Sequence, residues 1–140
     1  MGVVSCNHKE RVLDRGTQSA GRKLKGQGGP SLPFDYIICY GVVDIDPKHA
    51  TVWAMLGGRA DVLLPPYLGF RKGAPLPEAP TPAGRRPATL DPVTLRTITD
   101  MRDVIATELQ LAGWQGVVPW IGFEAESRVA GAGGAFHYFK

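Results

Sequence analysis

The segment between Asp91 and Gly113 has a pattern that predicts a long amphipathic helix. Asp91 can accept hydrogen bonds from free backbone amides at a helix start, and Pro92 fits the first helical position. Apolar side chains then recur at spacings of three and four: Ile98, Met101, Ile105, Leu109 and Ala112. We therefore predict a helix over residues 92–112, about 31 Å long, that buries one face. The rest of the fold must supply an apolar surface for that face.

Residues 34–45 are rich in aromatic and β-branched side chains, which predicts a β-strand. We expect this strand to belong to the apolar surface on which the helix packs. Asp46 and Pro47 favour a turn at residues 46–49. A second apolar run follows over residues 50–56 and ends at a pair of glycines. The two runs predict a β-hairpin with His49 at its tip, where a histidine is more often solvated than catalytic.

The C-terminal stretch, residues 113–140, contains two apolar runs around a glycine hinge, which predicts a closing β-ribbon. Residues 61–70 predict a short strand or a docked loop. With the helix, these elements predict the α+β class: a small mixed or antiparallel sheet packed by one long amphipathic helix. A chain of 140 residues suits one domain, which we place at residues 34–140.

Proline interrupts the chain before the helix. The sequence has 18 glycines and 12 prolines, so a large share of the backbone must be turn or irregular connection. Residues 73–91 are predicted to be a Pro-rich connector, because proline excludes a helix interior or a central strand. Pro77 and Pro80 have the PxxP spacing that aromatic grooves bind, although such spacings are common in Pro-rich linkers.

Basic residues are concentrated near the N-terminus. Residues 1–33 contain six of the 16 Lys and Arg residues but only two of the 13 acidic ones. With several glycines and few large apolar groups, this segment predicts a flexible basic tail that becomes ordered on a polyanion or a neighbouring subunit. Its candidate interaction residues are Lys9, Arg11, Arg15, Arg22, Lys23 and Lys25. The tail lacks the interleaved aromatic residues that stack on bases.

The sequence contains no complete metal, disulfide or targeting signature. Cys6 and Cys39 lie in different contexts and do not form a disulfide framework, and Cys39 is predicted to be a small apolar core residue. Cys6 and His8 are two potential zinc ligands close together, but His49 and His137 are far away in sequence and no second pair completes a tetrahedral site. The first residues resemble an N-myristoylation signal, with Ser5 one place early. No secretory signal and no apolar run of about 18 residues is present, so we expect a soluble protein of unspecified location.

Residues 116–126 contain a motif that is similar to one in the GNAT acetyltransferase family. That family places an aromatic residue four positions before a Gly-Phe pair, and here Trp120 stands two positions before Gly122 and Phe123. Residues 40–43 and 52–57 look like the family's central strands. The resemblance implies a mixed sheet flanked by helices, an acyl-CoA cofactor and transfer of an acetyl group to an amine. It also implies that Glu124 or Glu126 would deprotonate the amine and that Tyr138 would protonate the thiolate.

The chain departs from the family at the loop that binds the pyrophosphate. The family's Q/R-x-x-G-x-G/A loop opens a helix, whose free amides bind the anion. Residues 70–74 contain Gly73 at the related spacing, but they lack the first residue of the motif, and Pro75 replaces its second small residue. The basic tail also replaces the family's N-terminal helices. We therefore expect no bound cofactor and assign no catalytic or metal-binding residue.

Three functions from different classes follow from these observations. The tail and the connector favour a non-enzymatic structural or accessory component of a larger assembly, such as a phage virion, whose partners are other protein subunits. The first alternative is a divergent acyl-CoA-dependent N-acetyltransferase, implied by the resemblance. The second alternative is a nucleic-acid-binding module that acts through the basic tail.

Overall fold

The structure, a computed structural model, describes residues 2–40 and 50–139, and it describes their side chains from Arg11 onward except at positions 40 and 136. Within these residues the chain forms helices and strands in the following order. They are α1 (Gly2–Leu24), β1 (Phe34–Tyr40), β2 (Thr51–Leu56), α2 (Ala60–Leu63), β3 (Leu68–Phe70), β4 (Pro77–Thr81), β5 (Gly84–Pro87), α3 (Pro92–Leu111), β6 (Trp120–Ala125), α4 (Glu126–Gly131) and α5 (Ala135–Tyr138). None of the described helices is long and apolar enough to cross a membrane.

The strands form one mixed sheet in the order β1-β2-β6-β3-β4-β5. β2 and β6 run parallel, and the other neighbouring strands run antiparallel. The predicted pairing of the first two strands is confirmed, since Ile38 lies opposite Trp53. Residues 41–45 of the predicted first strand and the turn at 46–49, including His49, lie outside the described residues. With a long helix packed on this sheet, the predicted α+β class is confirmed.

The predicted central helix is α3, and it is confirmed almost to the residue. The Asp91 carboxylate accepts hydrogen bonds from the Thr94 hydroxyl at 2.6 Å and from the Thr94 amide at 3.0 Å. These two bonds hold the pKa of Asp91 below its usual value. The apolar stripe of the helix is buried as predicted, at Ile98, Met101, Ile105 and Leu109.

The N-terminal segment differs from the predicted flexible tail. Its backbone is helical from Gly2 to Leu24, and Leu13, Ala20 and Leu24 are buried in the core. This helix, α1, approaches α3 closely at Gly16, where a Cβ would lie 2.7 Å from Cδ2 of Leu109. Small residues at the crossing make the contact possible, and they also explain why the apolar pattern of α1 is hard to recognise in the sequence.

The core lies between one face of the sheet and the helices α1 and α3. Because side chains alternate along a strand, every second residue of β2 and β6 points to this face. The register places Val52 opposite Ile121, and Ala54 opposite Phe123. These residues pack with the apolar stripes of both helices in one buried cluster. The face is mainly aliphatic; its buried aromatic residues are Phe70 and Phe123, whose rings meet edge to face with centroids 6.0 Å apart, and the partly buried Phe34 packs against the same cluster.

The predicted Pro-rich connector is wrong over residues 77–87, which form the hairpin β4–β5 at the edge of the sheet. Proline is tolerated there because Pro77 begins its strand and Pro87 lies in the edge strand, where no neighbouring strand requires its amide. The PxxP segment is therefore part of β4 and is not presented as a free ligand. Residues 61–70 are predicted to form a short strand or a docked loop, and residues 68–70 form the strand β3.

The predicted closing β-ribbon is half wrong. Its first run forms β6, but its second run forms the short helices α4 and α5. The two helices are separated by Gly133 and Gly134, both with positive φ. Val129 of α4, before this turn, and Tyr138 of α5, after it, both pack on the sheet face opposite to α1 and α3. A helical turn satisfies the backbone of this segment without a further strand.

Candidate binding groove

The sheet face opposite the aliphatic core is aromatic, and two glycines make room for its indole rings. Trp53 of β2 lies opposite Gly122 of β6, and Gly69 of β3 also lies opposite Gly122. A Cβ at Gly122 would be 2.3 Å from the ring of Trp53, and a Cβ at Gly69 would be 2.2 Å from the ring of Trp120. Each indole therefore rests directly on the backbone of a neighbouring strand.

Further aromatic rings surround the two indoles. The centroids of Trp53 and Trp120 lie 6.0 Å apart with the ring planes tilted by 54°. Phe139 stacks on Trp53 with centroids 4.6 Å apart, and Tyr138 stacks on Tyr67 at 4.7 Å. The end of α5 and the residue after it thus cover one end of the aromatic face.

The other end of this face remains open as a groove of about 490 Å³. It is lined by Thr51, Trp53, Tyr67, Pro80, Arg85 and Trp120. We call this surface the aromatic groove. It draws residues from β2, β4, β5 and β6, so it exists only when the sheet is assembled.

Arg85 is the one charged residue among the described residues that line the aromatic groove. Its guanidinium carbon lies 4.5 Å from the ring centroid of Trp120, a cation–π distance. Its Nη2 donates to the backbone oxygens of Tyr67, at 2.8 Å, and Glu78, at 3.0 Å. Within the described residues, its Nε and Nη1 make no hydrogen bond. Burial of the guanidinium lowers the pKa of Arg85, but the group stays charged at neutral pH.

Trp120 contributes a second unused donor. Its indole nitrogen, Nε1, is buried and has no hydrogen-bond partner in the described part of the chain. A buried donor without an acceptor is costly, and such groups are rare in folded proteins. The residues that line the groove therefore leave donors without an acceptor in the described part of the chain, on the exposed guanidinium of Arg85 and on the buried indole of Trp120.

Glu124 is a buried carboxylate that holds one of the groove residues, Tyr67, in place. Its side chain is fully buried, and its two oxygens accept hydrogen bonds from four groups. These donors are the Tyr67 amide at 2.8 Å, the Tyr138 hydroxyl at 2.5 Å, the Ala125 amide at 2.8 Å and Arg128 Nη1 at 2.7 Å. The network holds Tyr67 in a left-handed backbone conformation, with φ of 57°, that non-glycine residues seldom adopt. Its role is to position the ring of Tyr67 in the groove wall.

The residues that the family resemblance nominated for acid–base chemistry are only partly brought together. Glu124 and Tyr138 are in contact, but the Tyr138 hydroxyl donates its hydrogen bond to the Glu124 carboxylate, so neither group is available to a substrate. Burial, followed by the neighbouring Glu124, raises the pKa of the Tyr138 hydroxyl, which keeps its proton. Glu126 lies apart from this pair and accepts a hydrogen bond from the Tyr36 hydroxyl at 2.5 Å.

The loop at residues 70–74 does not fit an acyl-CoA pyrophosphate. It leads from β3 into β4, so no helix N-terminus follows it to supply free amides. Arg71 is already paired with Glu78 through two hydrogen bonds, of 2.9 and 3.1 Å. Gly73 packs near the side chain of Val117.

The predicted interaction residues of the tail lie on or just after α1, away from the groove. Arg11 and Lys25 are exposed, and the side chain of Lys9 lies outside the described residues. Arg15 donates to the backbone oxygen of Ala112, and Arg22 donates to the Ser19 hydroxyl. Lys23 forms an ion pair of 3.1 Å with Glu108 of α3. Since α1 packs on the aliphatic face, none of these cations whose side chains the structure describes lines the aromatic groove.

Cys39 packs against the aliphatic core, as predicted, and its thiol donates to the Thr17 hydroxyl at 3.2 Å. Burial raises the pKa of this thiol to about 11, so it stays protonated at neutral pH. The side chain of Cys6 lies outside the described residues. Among the residues that the structure describes, no group of three or more His, Cys, Asp or Glu side chains is placed to hold a metal ion.

Sequence reasoning missed the aromatic groove. The alternation of Trp120 and Gly122 in one strand was a usable signal, since residues two apart share a face. What the sequence did not reveal was the strand order, which brings Trp53, Tyr67 and Arg85 to the same place. Comparison with models of known protein families, with curated proteins and with solved structures finds no match for this chain.

Proposed function

We propose that this chain is a non-enzymatic accessory component of a larger assembly and that it holds a peptide segment of a partner protein in the aromatic groove. The observation that carries the proposal is the set of two indole rings, one phenol ring and one arginine on the sheet face that α1 and α3 leave uncovered. Trp, Tyr and Arg are the residues that most often dominate the binding energy of protein interfaces.

The rigidity of the groove supports a binding role. Trp53 and Trp120 are held by close contact with glycine backbones, and Tyr67 is held by Glu124. A surface that is already ordered loses little conformational entropy when a ligand binds. The groove can therefore bind a short segment without rearrangement of the sheet.

The state of the polar groups supports binding over catalysis. A general base must come within hydrogen-bond distance of a substrate proton. Glu124 is fully buried and saturated by four donors, and the Tyr138 hydroxyl is used in that same network. Neither group is free to exchange a proton with a substrate in the groove.

Selection from a random peptide library displayed on phage tests the proposal without assuming a ligand. We expect the full chain to enrich peptides with a common motif. Binding of a selected peptide should be lost in Arg85→Glu, which places a carboxylate beside Trp120. Arg86→Glu is the matched control, because Arg86 neighbours Arg85 in β5 and lines a different surface, beside Arg128. That variant should bind the peptide as tightly as the wild type does.

Two outcomes would contradict the proposal. One is that no peptide is enriched, and the other is that enriched peptides bind Arg85→Glu and Arg86→Glu equally. Calorimetric titration with acetyl-CoA covers the catalytic alternative. Saturable heat there would favour the N-acetyltransferase alternative, whereas our proposal expects none.

A further inference from the structure

We infer that the aromatic groove binds a proline-rich segment in the polyproline II conformation, an inference that rests on the proposed function and specifies its ligand. The starting point is the hydrogen-bonding character of the groove. Trp120 Nε1 has no acceptor, and Nε and Nη1 of Arg85 make no hydrogen bond within the described residues. A matching ligand must bring acceptors and needs few donors.

A proline-rich segment has this character. Proline has no backbone N–H, and the polyproline II helix makes no internal hydrogen bonds, so its carbonyl oxygens are available as acceptors. A buried indole N–H without an acceptor is unfavourable, and a hydrogen bond to such a carbonyl oxygen removes this cost. Because Nε1 is buried, the ligand can reach it only when a covering side chain moves aside, and the exposed Arg85, whose guanidinium lies over the Trp120 ring, is placed to do so.

The surface of the groove fits the same ligand. The rings of Trp53, Trp120, Tyr67 and Pro80 line the groove, and of the two indoles Trp120 is the more exposed. Pyrrolidine rings pack well on aromatic side chains, and a polyproline II segment is already extended before it binds, which keeps the entropy loss small.

The charge of the groove favours this ligand over single-stranded nucleic acid, which also stacks on aromatic rings. Nucleic-acid grooves carry a track of cations that follows the phosphates. Among the residues that the structure describes, Arg85 is the only charged one in the lining, and the nearby Arg71 is neutralised by Glu78. One cation suits a nearly neutral peptide better than a phosphate backbone.

The test titrates the full chain, labelled with ¹⁵N, with octaproline and observes the indole N–H signals by NMR. A Gly-Ser peptide and an oligothymidylate of matched length are the comparison probes. We expect saturable binding of octaproline, with a shift of the Trp120 indole signal, and no binding of the Gly-Ser peptide. Trp120→Phe keeps an aromatic ring and removes the N–H, so it should weaken octaproline binding about five- to tenfold.

Trp114→Phe is the matched control, because the indole nitrogen of Trp114 already donates to the Val117 oxygen at 3.1 Å. It should leave octaproline binding unchanged. Equal weakening by both variants, or no octaproline binding, would overturn the inference. If octaproline fails while a displayed peptide without proline binds at Arg85, the inference fails and the proposed function stands. If the oligothymidylate binds at the groove and octaproline does not, both fail.

Discussion

The two faces of the sheet are built from the same strands but carry different chemistry. On the face under α1 and α3, β2 and β6 contribute Val52, Ala54, Ile121 and Phe123, which pack in the main buried cluster. On the opposite face, alternate residues of these strands include Trp53, Trp120 and Gly122, and the two tryptophans line the groove. The comparison teaches that strand alternation separates the residues that stabilise the fold from those available for recognition.

The largest expected effect is a difference in the free energy of unfolding between a substitution on the aliphatic face and one on the aromatic face. Phe123→Ala removes a fully buried ring from the aliphatic face and should lower the free energy of unfolding by about 3–5 kcal/mol. Trp120→Phe, in the same strand but on the aromatic face, should cost about 1 kcal/mol, because the residue is partly exposed and a ring is kept. Urea denaturation of both variants measures the difference. Equal losses would mean that the aromatic face is as important for folding as the core.

The second effect concerns the support beneath the groove. Glu124→Gln leaves Arg128 without its buried carboxylate and should lower the free energy of unfolding by about 3 kcal/mol. Glu78→Gln breaks an ion pair with the exposed Arg71 and should cost less than about 1 kcal/mol. Thermal and urea unfolding compare the two variants. If Glu124→Gln unfolds like Glu78→Gln, the network around Glu124 does not hold the groove in place.

A smaller effect tests the contact between glycine and indole. Gly122→Ala introduces a methyl group 2.3 Å from the ring of Trp53, so the ring must shift, at a cost of about 1–3 kcal/mol. We expect a changed Trp53 indole signal by NMR and weaker peptide binding. Gly131→Ala is the control, since a Cβ there meets no atom within 4 Å. Unchanged Trp53 in Gly122→Ala would show that the ring does not rest on this glycine.

The smallest effect belongs to the N-terminus of α3 and depends on pH. The pKa of Asp91 is lower in the folded chain than in the unfolded chain, so its charge stabilises the fold at pH values above the unfolded pKa. This stabilisation is lost as the pH falls through the folded pKa. Asp91→Asn still accepts a hydrogen bond from Thr94 but does not titrate there. Unfolding measured from neutral to acid pH should therefore show a shallower decline for the variant, and parallel curves would contradict this role.

The helix α3 could be predicted from the sequence because a capping residue, a proline and a regular apolar stripe all indicate the same element. The helix α1 could not, because Gly16, which permits its close packing on α3, and the small buried Ala20 contribute little to an apolar pattern. The hairpin β4–β5 was hidden by its prolines, which are tolerated because Pro77 begins β4, Pro80 lies beyond the residues that pair with β3, and Pro87 lies in the edge strand.

The candidate site was harder to predict than the fold. The resemblance drew attention to Glu124 and Tyr138, and the structure does bring these two residues together, but as supports for Tyr67. The groove itself depends on contacts between residues far apart in sequence, such as Arg85 and Trp120. Such contacts follow from strand order, which local patterns do not determine.

The most direct test of the aromatic groove uses the three tryptophans of the chain as reporters. Their indole N–H signals are followed by NMR while the tightest peptide from the display selection is added. We predict that the Trp53 and Trp120 signals shift and saturate together, while the Trp114 signal stays in place because its N–H is bound to the Val117 oxygen. A shift of Trp114 equal to the other two, or no shift of any indole signal, would contradict a binding site at the groove.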